Sequence, residues 1–428
     1  MQYTYFKKMP LVILFILTFY KIILSRYINI IFNKTYTFNV VFTISLYGIF
    51  IYFILWNFAD DMHKATTKSY LCTYVCMLVF YTAITFYRVV AKLEAKESIY
   101  YTLIMLGTFS MARVIERRNP LYKNNILADI CTYVALIVGY WIFYLLILKP
   151  TITYSFINDN IIAAILLVTI PVIFQNLCHL TFSKKKKIFY FFILTLEVTL
   201  VAILGSRAAF FLLLVELFLL AVCNLKKRKE MINVLGVIAA SVTSVSILFI
   251  VNWGETRYSI YRELSINIVE ASDTIDQEVL PNNAVTSIDL DDTIMKESAK
   301  EQTKRSDSSR KSLILRSLDQ IKENIFFGTG DLFYEDEIAG MGVFNQSAHN
   351  CILETLNCYG LIGFFLVLFL LYETLFRKML RKHTFQKYPE TIIIIVVFLA
   401  YGMVQPIVYD EVLLPLVITI LCAYINVS

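Results

Sequence analysis

Apolar residues fill the chain in long blocks separated by short polar connections, and one extended polar stretch breaks the series. Apolar runs of about 17 to 25 residues, the length a helix needs to cross a bilayer, fall near 9–31, 37–57, 70–90, 97–113, 127–148, 160–180, 187–205, 208–224, 232–252, 349–376, 391–408 and 410–427. This pattern predicts an all-α polytopic membrane protein of about twelve transmembrane helices with one large extracytoplasmic loop. Residues 1–252 carry helices one to nine, 253–348 the loop, and 349–428 helices ten to twelve. The first run starts with basic residues, but no small-residue cleavage site follows it, so it reads as a first span rather than a removed signal.

The long polar stretch has two parts. Between Glu270 and Asp307 it is polar and poor in aromatics, which predicts a mobile segment or lid. From Ser309 onward, Ile314, Leu318, Ile321 and Ile325 recur at helical offsets, and Gly328 is placed to stop the helix. An amphipathic helix over the outer membrane surface is the expectation, its mobile and helical parts together forming the loop domain. Arg310, four residues before Ile314, extends the apolar stripe, whereas Arg316 falls about 200° away from Ile314. The loop ends in AHNCILETLNCYGLIG, Ala348 to Gly363. His349, Leu353, Leu356, Gly360 and Gly363 are spaced to share one helical face. Ser347 as N-cap would put His349 in the first turn, where free backbone N–H groups suit an anion.

Composition fixes the class. With 58% hydrophobic and 17% charged residues and a mean hydropathy of +0.65, a soluble fold is excluded. If the N-terminus is cytoplasmic, twenty basic residues fall in the inside segments, including the runs Lys184 to Lys187 and Lys226 to Lys229, against five in the short outside segments. That bias places both termini inside and the loop outside, on the extracytoplasmic face of the cytoplasmic (inner) membrane. The net charge of +6 then reflects topology and headgroup anchoring to the lipid bilayer, with no nucleic acid implied. The eight cysteines lie in or at apolar segments, so no disulfide framework is predicted. The loop holds eighteen acidic against ten basic residues. Its Asp289, Asp291 and Asp292 lack the spacing and glycine of a calcium loop and read as solvation. No metal site and no cofactor is predicted.

Three polar features are expected at the outer mouth: GSR, Gly205 to Arg207, in the shortest connection; the Arg310-led helix ending in FFGTG; and HNCILETLNCYGLIG. In that order they resemble the O-antigen ligase and polymerase superfamily of bacterial membrane glycosyltransferases, across roughly the C-terminal half. The layout of twelve spans with a large loop between the ninth and tenth is similar too, and implies a GT-C-like fold. The sequence departs from the family pattern at Ile314, where an aromatic often follows the loop arginine, and before Phe327-Gly328, where a proline is often found.

The resemblance implies that Arg207 and Arg310 bind the diphosphate of an undecaprenyl-diphosphate-linked oligosaccharide and that His349 stands at the reacting centre. Ser206, Asn350 and Arg316 join them as candidate substrate-binding residues. The chemistry suits these types. A leaving diphosphate is stabilised by guanidinium groups without a metal, and a histidine can take or orient the proton of an attacking hydroxyl. Attack opposite the diphosphate would invert the anomeric centre. Glu197 and Glu216 lie inside the spans flanking GSR and are functional candidates by position, with a polar helix interface or an arginine partner as the alternative. Glu354 falls about 140° from His349, which favours a structural bond to a neighbouring helix.

The first reading is a polysaccharide polymerase of the Wzy type, extending O-antigen, capsule or exopolysaccharide. Its partners would be the lipid-linked donor, the growing polysaccharide and a chain-length regulator. The second is a ligase passing glycan to a lipid or protein acceptor, and the third a lipid-linked oligosaccharide flippase, which predicts internal repeats that the sequence does not show.

Overall fold

The computed structural model describes residues 44–57, 68–90, 96–118, 131–137, 159–178, 183–204, 206–225, 227–250, 311–329, 334–338, 342–346, 348–405, 410 and 412–427, with isolated position 139. Among them the helices are α1 (Ile44–Asn57), α2 (Lys68–Val90), α3 (Lys96–Arg118), α4 (131–137), α5 (Asp159–Cys178), α6 (Lys184–Ile203), α7 (Arg207–Cys223), α8 (Arg228–Ile250), α9 (311–323), α10 (Cys351–Leu371), α11 (Thr384–Lys387), α12 (Glu390–Gly402) and α13 (Leu413–Val427). Among the described residues, three stretches are long and apolar enough to cross a membrane: Asn160–Cys178, Arg228–Ile250 and Cys351–Arg381. Four shorter apolar helices, Ile44–Asn57, Cys72–Arg88, Glu390–Gly402 and Leu413–Ile425, accompany them. The first of the twelve expected spans, 9–31, and the acidic stretch between Glu270 and Asp307 lie outside the described residues.

Position in the bundle follows hydrophobic pattern. A helix apolar on every side belongs in the middle, and α5 is such a helix, with Ala163, Leu166, Leu167, Ile170 and Ile173 all buried. It packs against α6, α7 and α12, while α13 packs against α3 and α10 against α2. By contrast α8 leaves Ile232, Leu235, Val242, Ile247 and Ile250 exposed, the surface of a peripheral helix facing hydrocarbon. The start of α6 shows charge placed against helix propensity. Ser183 caps it, its hydroxyl accepting from the Lys186 amide, and four lysines occupy the first turn, where the helix dipole disfavours cations.

Two sets of polar contacts between helices lie near opposite ends of α5. At one, Ser206, Asn160 and Tyr401 meet, and Asn350 reaches Met403. At the other, Tyr424 meets Gln175 at 2.6 Å and Lys382 donates to the Ile425 carbonyl at 2.6 Å. The alternation of spans read from the sequence puts the first set of residues on one side and the second on the other.

The all-α expectation needs one correction. Tyr334–Ile338 and Gly342–Gln346 form an antiparallel hairpin, Tyr334 paired with Gln346 and Ile338 with Gly342. A three-residue connection containing Gly340 joins the strands, which is a hairpin signal in its own right. The hairpin delivers the chain to Ala348. None of the eight cysteines is in a disulfide.

Candidate active site

Ser206 begins α7. Its extended backbone and hydroxyl form the N-cap, accepting from the Ala209 amide at 3.4 Å. The same hydroxyl donates to Asn160 Oδ1 at 2.6 Å. Ser206 is buried and Arg207, the first residue of the helix, is half-buried. The tight connection therefore holds the arginine against the protein body.

The histidine turn differs from the sequence expectation. The helix starts at Cys351, and Asn350 is its N-cap, with Oδ1 accepting from the Ile352 and Leu353 amides at 3.0 and 3.1 Å. Capping by Ser347, with His349 in the first turn, is overturned. Asparagine is as strong a cap as serine, and it stands one residue from the helix. His349 is half-buried just before the cap, in the left-handed conformation with φ 51°, a state uncommon outside glycine and worth a functional question at a site of this kind. The single face from His349 to Gly363 is also overturned. His349 is outside the helix, and Gly360, with φ 62° and ψ −169°, interrupts it.

One helix end joins the two turns. Tyr401, on the last turn of α12, donates its hydroxyl to the Asn160 carbonyl at 2.7 Å and stands 3.4 Å from the Ser206 hydroxyl. Just beyond, the Met403 carbonyl accepts from Asn350 Nδ2 at 3.0 Å, and the Gln405 carbonyl accepts from the Cys351 thiol at 3.1 Å. Orphan carbonyls at a helix C-terminus need such donors. Arg207 and His349 are thereby each adjacent to a residue fastened to the same short segment, Tyr401 to Gln405.

Below the histidine turn, the break at Gly360 strands backbone groups that a continuous helix would pair, and each finds another partner. The Leu361 and Ile362 amides donate to the Ile325 and Phe326 carbonyls at 2.9 and 3.2 Å. The Asn357 carbonyl accepts from the Thr329 amide at 2.7 Å. The Cys358 carbonyl accepts from the Arg88 guanidinium, which also lies 5.9 Å over the Tyr359 ring. Complete pairing is what an apolar surrounding demands of a broken helix. The FFGTG turn thus fills the gap in α10. Arg88, 2% exposed on α2, is a residue that sequence reading missed; its signal was an arginine inside an apolar run.

The turn brings α9 with it. Its inward residues are Leu313 and Ser317, and Ser317 Oγ accepts from Asn357 Nδ2 at 2.5 Å. The apolar stripe of the expected amphipathic helix is left uncovered by the described residues. Ile314 is 38% and Leu318 41% exposed, with Leu315, Ile325, Phe326 and Phe327 also uncovered. The small polar Ser317 fits closely against α10, whereas the bulky stripe is left for another medium. Arg316 is exposed on α9, and Arg310 lies outside the described residues. Of the buried acids, Glu197 accepts from Thr169 Oγ1 at 2.6 Å, a polar interface between α5 and α6. Glu216 is fully buried on α7, and Glu354 is buried on α10.

Residues 189–368 match the family model described as O-Antigen ligase. Over that stretch the chain is similar to the O-antigen ligase family, which supports the resemblance read from the GSR and HN motifs. The matched segment runs from α6 through the GSR cap, α9, the FFGTG turn and the histidine turn into α10, so it contains both sides of the joint made by Tyr401 to Gln405. No curated protein and no solved structure matches the chain.

Proposed function

We propose that this protein is a membrane glycosyltransferase of the polymerase kind. It would transfer glycan from a polyprenyl-diphosphate donor to the hydroxyl of a lipid-linked repeat unit. The observation that carries the reading is the shared attachment of the Ser206–Arg207 cap and the His349–Asn350 turn to one end of α12.

In the reaction, the acceptor oxygen attacks the anomeric carbon as the bond from that carbon to the diphosphate oxygen breaks. The proton of the hydroxyl passes to His349, and the diphosphate leaves with its charge held by Arg207 and by Arg310. Attack from the opposite side inverts the anomeric centre. Ser206 and Asn350 sit next to these groups and would orient the substrate, with Arg316 as the alternative arginine of α9. The site would face the extracytoplasmic side of the cytoplasmic membrane, where the positive-inside rule puts the loop. The growing polysaccharide and a chain-length regulator are the further partners of this reading.

The description of the family model favours a second reading, a ligase that passes finished glycan to another acceptor. Purified protein with a synthetic polyprenyl-diphosphate repeat unit, with and without EDTA, separates the two. A ladder of products insensitive to EDTA is expected. A single transfer to an added acceptor, with no ladder, would give the ligase, and absence of transfer from a verified donor would overturn both.

A further inference from the structure

We propose that Tyr401, held by Asn160, is a positioning residue that sets the separation between Arg207 and His349. The inference rests on the reading above, in which the arginine and the histidine act on one substrate.

The geometry is a three-way joint. Tyr401 is 1% exposed on the last turn of α12. Its hydroxyl proton goes to the Asn160 carbonyl at 2.7 Å, at the beginning of α5. The Asn160 side chain takes the Ser206 proton at 2.6 Å, and Ser206 in turn caps the helix that Arg207 begins. Two residues beyond Tyr401, the Met403 carbonyl grips Asn350, the cap of the helix that follows His349. Neither cap needs α12 in order to cap. Asn350 gives a second bond directly to the end of α12, and Ser206 gives one to Asn160, whose carbonyl accepts from Tyr401 on that same end; these extra bonds are the sign of placement rather than of local satisfaction alone. Loss of the Tyr401 hydroxyl would leave both caps formed while freeing one to shift relative to the other.

Such a shift acts on the transition state more than on binding. Arg207 can still meet a diphosphate, and the histidine can still meet a hydroxyl, but not at the distance at which both act together. Misplacement by about 1 Å can cost up to roughly a hundredfold in rate.

The test is Tyr401→Phe in the transfer assay, compared with Tyr424→Phe, a buried tyrosine whose hydroxyl bonds Gln175 at the opposite end of α5. Tyr401→Phe should lower kcat by about ten- to a hundredfold with KM little changed. Tyr424→Phe should lower thermal stability comparably and leave kcat as in the parent. Wild-type kcat in Tyr401→Phe, or a loss no greater than in Tyr424→Phe, would overturn the inference. Arg207→Ala and His349→Ala run beside it. If both retain transfer, the underlying site is wrong; if both abolish transfer while Tyr401→Phe is fully active, only the positioning role fails. Should Tyr401→Phe not accumulate, Asn160→Ala, which keeps the carbonyl that Tyr401 bonds, breaks the joint on its Ser206 side and is judged by the same split between kcat and KM.

Discussion

Gly328 and Gly360 meet backbone to backbone across the gap in α10: both have positive φ, 73° and 62°, and a Cβ on Gly328 would stand 2.7 Å from the Gly360 nitrogen. A Cβ on Gly360 would likewise stand 2.5 Å from the Phe327 nitrogen. Alanine at either position meets both a disfavoured conformation and backbone that cannot yield. Each single substitution should cost roughly 2–4 kcal/mol, read as a lower melting temperature in detergent. Because both break one contact, the double variant should be little worse than the poorer single. Full additivity would show that the two glycines act separately.

Asn350 has two duties that substitution can separate. Asn350→Asp keeps an oxygen for the Ile352 and Leu353 amides but loses the donor to the Met403 carbonyl. It should retain much of the cap's stability, about 1 kcal/mol, and still lose transfer activity. Asn350→Ala should lose both. Equal activity of Asn350→Asp and the parent would show that the Met403 bond is dispensable.

Arg88 supplies the donor that the helix break takes from Cys358. Arg88→Met preserves length and apolar bulk but leaves that carbonyl without the guanidinium. The expected cost is roughly 1–3 kcal/mol. Stability unchanged from the parent would mean that another donor replaces it.

On α9, Arg316 is exposed, so Arg316→Ala should leave polymer length and yield near those of the parent. Arg310→Ala should abolish polymer, as expected of a diphosphate ligand. The reverse order of sensitivity would move the diphosphate role to Arg316.

The uncovered stripe of α9 is expected to lie on the bilayer surface. A spin label on Leu315→Cys, in a background lacking the native cysteines, should collide with oxygen more readily than with a water-soluble nickel chelate. Preference for the chelate would show that the stripe faces water.

The apolar runs made the helices legible, because length and hydropathy act locally along the chain. The HN and GSR turns stood out as candidate sites for a similar reason, since short polar segments between apolar blocks are conspicuous. What stayed hidden depends on partners distant in sequence. His349 looked helical because its spacing to Leu353 and Leu356 is helical, yet the helix begins where Asn350 finds both its own amides and the Met403 carbonyl. Gly360 looked like a small residue on a packing face. Its broken conformation is explained only by the FFGTG turn entering from 325–329. The stripe of Ile314 and Leu318 was legible as apolar, but periodicity gives a face and not its neighbour. Ser317, the residue that does face α10, is polar, because what it meets is the Asn357 amide and not a hydrophobic core.

The gap in α10 also bears on what happens when the chain is cut. The Arg88 guanidinium of α2 bonds the Cys358 carbonyl in that gap, α10 packs on α2, α13 on α3, and α12 on α5 and α7. Covalent continuity through 253–310 is therefore not what keeps the later helices with the earlier ones. Two polypeptides divided within that stretch, expressed from separate messages, should assemble in one membrane into a working split protein.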